Sequence, residues 1–175
     1  LGDEGGRGID QFLEVLDAIG ALALGLVVLE EPAAGERVPL RVVGVDALVV
    51  PGVSPALMPQ PAAGVDRLAL FAPGQVFLNP SARQKLGDAG TLLLQRGLDR
   101  LPVQVAGTVA AGGAPLAVMD IGAAQDLFGR GGQLTRIDLR LAPGTDRAAF
   151  LRELALPADV VAAEPGDGAA RVSQL

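Results

Sequence analysis

The chain has 175 residues, with 14 Lys plus Arg against 20 Asp plus Glu and a formal net charge of −6. It contains no Cys, His, Trp or Tyr, which excludes disulfides, thiolate nucleophiles, zinc ribbons, a Ser–His–Asp triad and the commonest transition-metal ligand. A single lysine, Lys85, and five phenylalanines leave neither a basic footprint nor stacking platforms, so no nucleic-acid partner is expected.

Half of the residues are apolar and the mean hydropathy is +0.41, enough for a sizeable core in a chain of this length. The first residue is Leu1 rather than Met, so the chain is expected to be a processed product or an excised fragment. Ile9, Phe12, Leu13, Leu16 and Ile19 recur at helical spacing, with Asp10, Gln11, Glu14 and Asp17 on other faces; this predicts an amphipathic helix ending near Gly20. The uncharged stretch 18–29 is 12 residues long, below the roughly 20 that cross a bilayer. No basic segment precedes it as in a signal peptide. No membrane span is expected within the chain.

Residues 26–29 read as a short buried strand, closed by Glu30, Glu31 and Pro32. The β-branched run 40–50 (LRVVGVDALVV) predicts a central strand covered on both faces. Pro51, Pro55, Pro59 and Pro61 then argue against regular structure and for a long loop or subdomain junction. Apolar runs follow at 68–71 and 76–78. Asn79 and Pro80 open a short helix as N-cap and first helical residue, and Gly87 stops it. Strands are expected at 91–95 and 101–109, with 116–119 pairing back on the latter as a hairpin after the turn 110–115. Asp120 is expected to cap a helix that ends at Gly129. Ile137, Leu139 and Leu141 alternate with Arg136, Asp138 and Arg140, which predicts a half-buried strand. Pro143 and Gly144 turn the chain, Thr145 caps a helix with Phe150, Leu151 and Leu154 on its inner face, and Val160–Val161 forms a last strand. Strands and short helices interleave without a βαβ period, so the class is α+β with a mixed β-sheet.

Candidate chemistry is sparse. The Gly5-Gly6-Arg7-Gly8 stretch precedes a helix, but its spacing matches neither GxGxxG nor the P-loop. Gly129-Arg130-Gly131-Gly132 is accounted for by a helix stop before a strand. Carboxylates that could pair as acid and base are Asp120 with Asp138 and Glu30 with Glu31. Asp120 serves better as a cap, and Asp138 as a strand residue between two arginines. No oxygen-ligand spacing suits calcium. No catalytic, metal or cofactor residue is therefore assigned. In the proline-rich segment, Val53, Leu57 and Met58 are candidate partner or cargo contacts if exposed, or a lid over the chain's own core if folded back.

Five phrases, in order, extend this reading. Leu40-Arg41-Val42-Val43-Gly44-Val45-Asp46 resembles a core strand in the extracytoplasmic domains of FtsX/MacB-type ABC transporter permeases. Val76-Phe77-Leu78-Asn79-Pro80-Ser81-Ala82, with Lys85-Leu86-Gly87, is similar to that family's strand leading into an "A..LG" helix. Val103-Gln104-Val105-Ala106-Gly107-Thr108-Val109 resembles its "VvGv" strand. Val118-Met119-Asp120-Ile121, with Ala124-Gln125-Asp126-Leu127-Phe128, resembles its "v.mdl..aq.lf" element, and Ile137-Asp138-Leu139-Arg140-Leu141 with Pro143-Gly144 resembles the strand and turn that follow. The order matches over roughly residues 9–171, and the turn at Gly87-Asp88-Ala89-Gly90-Thr91 is shorter than the family's.

The resemblance implies a non-enzymatic domain held between the first two transmembrane helices of a permease in the inner membrane. It implies a MacB-like architecture of two subdomains, one discontinuous, placed at 1–50 plus 131–175 and at 51–130. The implied partners are a cytoplasmic ABC ATPase subunit, a second permease copy or domain, and lipoprotein, peptide or lipid cargo. A freestanding periplasmic binding or adaptor module of similar fold is the alternative.

Overall fold

Runs of Val and Leu bounded by Gly, Pro and Asx residues become strands here, and their pairing is mixed in direction. The computed structural model describes residues 19–20, 26–30, 37–96 and 98–163. Residues up to Arg140 and residues from Leu141 pack as two separate units. In the first unit the elements are β1 (Ile19–Gly20), β2 (Leu26–Glu30), β3 (Arg37–Val45), α1 (Val50–Val53), β4 (Gln60–Pro61), β5 (Gln75–Leu78), α2 (Pro80–Leu86), β6 (Thr91–Arg96), β7 (Asp99–Thr108), β8 (Leu116–Asp120), α3 (Ile121–Phe128) and β9 (Ile137–Asp138). Two 3₁₀ turns, Pro55–Leu57 and Arg67–Phe71, flank β4. The second unit carries α4 (Arg147–Leu154).

Seven strands share one sheet in the order β4-β7-β5-β8-β3-β2-β6, and β6 also pairs with β7, so the ladder returns on itself. The β3–β8 and β5–β7 pairs are parallel and the others antiparallel. The fold class is thus α+β with a mixed sheet. Because β3 is hydrogen-bonded to β8 through Arg41–Leu116 to Val45–Asp120, a boundary at residue 50 would pass between partners within one sheet. No helix among the described residues is long and apolar enough to cross a membrane.

Strand alternation sends successive side chains to two different apolar clusters. Leu40, Val42, Val76, Leu78, Leu92, Leu94, Val103, Ala117 and Met119 point into the first, which Ala82 and Leu86 of α2 and Ala124 of α3 complete. Val43, Val45, Phe77, Ala106, Leu116 and Val118 point into the second. At Gly44 a side chain would lie 2.7 Å from Ala124 Cβ, so the missing Cβ is what lets α3 lie directly on β3.

The caps follow local rules. Asn79 Oδ1 accepts the Ala82 N–H at 2.9 Å, Pro80 is the first helical residue, and Gly87 ends α2 at φ 64. Asp120 Oδ1 accepts the Ala123 N–H at 3.0 Å, and Gly129 ends α3 in the left-handed region. Arg96 Nη1 donates to the Leu127 carbonyl, placing a cation at the negative end of α3.

Several expectations are corrected. The central strand ends at Val45, where Asp46 turns the chain, rather than at residue 50. Segment 116–120 makes no hairpin with β7, because β5 lies between them in the sheet. The alternating segment 136–141 forms only two residues of strand, those that find a partner in β1, and Ile137 is 54% exposed. Alternation supplies a face, but without a neighbouring edge it supplies no ladder. The predicted helix over 9–19 lies outside the described residues except at its end, where Ile19–Gly20 pairs with β9 as strand. In the second unit the cap of α4 is Asp146, whose Oδ1 accepts the Ala148 and Ala149 N–H groups. The Thr145 N–H belongs instead to a turn closing on Ala142. Of the inner face expected there, Phe150 is buried and Leu154 exposed. Val160 and Val161 are exposed and in no strand.

Candidate functional site

The prolines of 51–61 fold into short pieces that roof the second apolar cluster. Pro51 sits in the first turn of α1 and Pro55 in the first turn of its 3₁₀ segment, positions where a missing N–H costs nothing. Pro61 lies in β4 at the margin of the sheet, where a strand tolerates it. Val53, Leu57 and Met58 are half-buried and pack against the second cluster, together with Val49, Val65, Ala69 and Leu70. All three candidate contacts therefore face inward, as a lid over the chain's own core.

Two features hold this roof down. A Cβ on Gly107 would lie 2.0 Å from the Gln60 carbonyl and 2.9 Å from the Ala62 nitrogen; only glycine lets the chain cross β7 there. Arg140 Nη1 donates to the Gly52 carbonyl at 3.0 Å, tying the segment after β9 to α1.

The residues that the roof turns outward are different ones. Asp46 Oδ1 accepts the Leu48 N–H at 2.8 Å, and Asp66 Oδ1 accepts the Leu68 N–H at 2.8 Å. Both are Asx turns, in which a carboxylate bonds the backbone two residues on. They hold Leu48 78% and Leu68 69% exposed, and Phe71 is exposed nearby in sequence. Sequence reasoning missed these two leucines. The signal was present as an aspartate two residues before each, but Leu48 lies in a run read as a covered strand and Leu68 in a run read only as apolar.

The remaining candidates have structural employment. Asp120 is occupied as the cap of α3. Asp138 bonds Arg136 Nε, and its neighbour Arg41 is held below the usual guanidinium pKa, first by burial and then by the Arg136 charge, with Asp138 opposing. Asp120 and Asp138 thus serve separate local bonds. Glu31 and Gly5-Gly6-Arg7-Gly8 lie outside the described residues, as does the Glu30 side chain. Among the described residues no three Asp or Glu side chains gather as a metal site. Leu48 and Leu68, on either side of the roof in sequence, are thus among the exposed large apolar side chains of the described residues, each beside a local Asx turn.

No protein-family model matches the chain, and no curated protein matches it at a significant level.

Proposed function

We propose that the chain is a non-enzymatic extracytoplasmic domain of an FtsX/MacB-type ABC transporter permease. On this reading ATP hydrolysis on a separate cytoplasmic ATPase subunit is transmitted through the membrane helices of the parent permease to this domain. The domain then works by contacts with a second permease copy or domain and with lipoprotein, peptide or lipid cargo. The observation that carries the reading is the ordered set of five sequence phrases. The first, third and fourth fall on β3, β7 and β8–α3, and the second on the unit β5–Asn79–α2–Gly87. A MacB-like pair of subdomains, one of them discontinuous, belongs to the same reading.

Leu48 and Leu68 are the contact residues on this reading, because their turns hold them outward without help from a partner. The test is the parent reading frame on both sides of Leu1 and Leu175. Apolar spans of about 20 residues before and after them support a permease. A stop codon soon after Leu175 with a cleavable signal before Leu1 overturns it, leaving a freestanding periplasmic binding or adaptor module.

A further inference from the structure

The strand β7 ends its pairing at Thr108, yet the chain beyond it keeps the character of a strand. Val109 and Ala111 are buried while Thr108, Ala110 and Gly112 are exposed, the period-two burial of a half-covered strand. On the inner side Val109 N–H donates to the Leu78 carbonyl at 3.1 Å. On the outer side β4 pairs only with Gly107 and Thr108, and Ala62 N–H donates to the Ala106 carbonyl at 2.8 Å. The backbone groups that face this outer side next are those of Ala110 and Gly112. Neither N–H donates to any group among the described residues.

The chain's own strand stops short for a definite reason. Continuing the register Gln60↔Thr108 would set Met58 opposite Ala110. Met58 N–H is instead spent on the Pro55 carbonyl at 3.1 Å, in the 3₁₀ turn, and Pro59 has no N–H to offer. Beyond Gly112 the segment is anchored again: Ser81 Oγ donates to the Gly113 carbonyl at 2.6 Å and Asn79 Nδ2 to the Ala114 carbonyl at 3.0 Å. The unpaired edge is therefore held in place at both ends, so little ordering cost remains for a partner.

We propose that residues 108–112 form a strand-addition site for an extended, uncharged peptide segment lying antiparallel to β7, in line with β4. Donor and acceptor sites repeated every second residue, roughly 6.8 Å apart, are matched by another peptide backbone and not by an acyl chain. The residues from 101 to 115 carry no charge, so nothing on this edge would pair with a charged side chain. Ala110 and Gly112 present no side chain large enough to keep a second strand away. The edge stands on this geometry alone and does not depend on the permease reading.

The experiment uses the full 175-residue chain, isotopically labelled, and an acetylated and amidated peptide alternating valine and threonine over seven residues. Saturable amide shifts at Ala110 and Gly112, with slowed hydrogen exchange there, are the expected result. The same peptide N-methylated at alternate residues should bind at least about tenfold more weakly, the cost of losing one or two backbone hydrogen bonds. Equal binding of the two peptides, binding elsewhere, or no binding overturns the proposal. Concentration-dependent dimerisation that protects Ala110 without peptide assigns the edge to a second copy and also overturns it. Ala110→Pro removes the donor and should abolish the response while the amides of β3 and β8 keep their shifts. Should that variant not fold, the N-methylated peptide decides alone.

Discussion

Asn79 Oδ1 accepts the backbone N–H of Leu116 at 2.9 Å while the Asn79 N–H donates to the Leu116 carbonyl at 3.0 Å. The same side-chain oxygen caps α2 through Ala82, and the amide nitrogen reaches Ala114. One fully buried polar residue thus joins the start of α2 to the start of β8, and its three side-chain bonds are all to backbone groups, two of them buried.

Asn79→Ala is expected to cost about 2–4 kcal/mol, adding a lost cap of about 1 to an unsatisfied buried N–H of about 1–3. Urea unfolding should show a lower midpoint at unchanged slope. Asn79→Asp keeps both acceptor contacts but sets a second carboxylate oxygen against the Ala114 carbonyl, so it should not restore the wild-type midpoint.

Gly44 and Gly107 are both close-approach glycines, with different consequences. Gly44→Ala drives a methyl into Ala124 between β3 and α3 and should destabilise the whole fold by about 1–3 kcal/mol, the range for overpacking. Gly107→Ala meets backbone rather than side chain and should release the Gln60–Pro61 crossing. Hydrogen exchange at Ala62 should then speed by far more than exchange at Val43 or Val118. Equal acceleration at all three would show that the roof and the sheet open together.

Leu57→Asp and Met58→Asp place a charge against the second cluster, and each should lower stability by about 1–3 kcal/mol. Leu48→Asp and Leu68→Asp change exposed positions and should stay within about 0.5 kcal/mol of wild type. Thermal unfolding of the four variants separates lid from contact residues. Loss of function in the last pair at full stability is the signature of a contact.

With no His, Cys or Tyr in the chain, only the terminal amine ordinarily titrates between pH 6.5 and 9. Arg41, a cation whose pKa is lowered first by burial, costs some stability while charged and regains it as pH rises through its folded value. The urea midpoint should therefore be flat from pH 6.5 to 9. Arg41→Met keeps the stem and removes a partly desolvated charge and its repulsion with Arg136, so its midpoint should stay at or slightly above wild type.

Legibility in the sequence divides along a physical line. Asn79-Pro80 with Gly87, and Asp120 with Gly129, could be read in advance because a cap involves only backbone groups three or four residues away. The same locality made the runs at 26–29 and 91–95 readable as strands. Segment 136–141 carried an unambiguous alternating pattern and still formed only Ile137–Asp138 as strand, since a ladder needs a second edge whose position no local pattern encodes.

The sequence by itself determined the class, the caps of α2 and α3, the absence of imidazole and thiol chemistry, and which side chains could fill a core. Only the tertiary structure decided that β5 separates β7 from β8, that Leu57 and Met58 turn inward while Leu48 and Leu68 turn outward, and that the Ala110 and Gly112 N–H groups find no acceptor among the described residues. The first group rests on composition and on bonds between near neighbours in the chain. The second rests on which strands meet across the sheet, where pairings between distant residues compete and the best packing of both faces selects one.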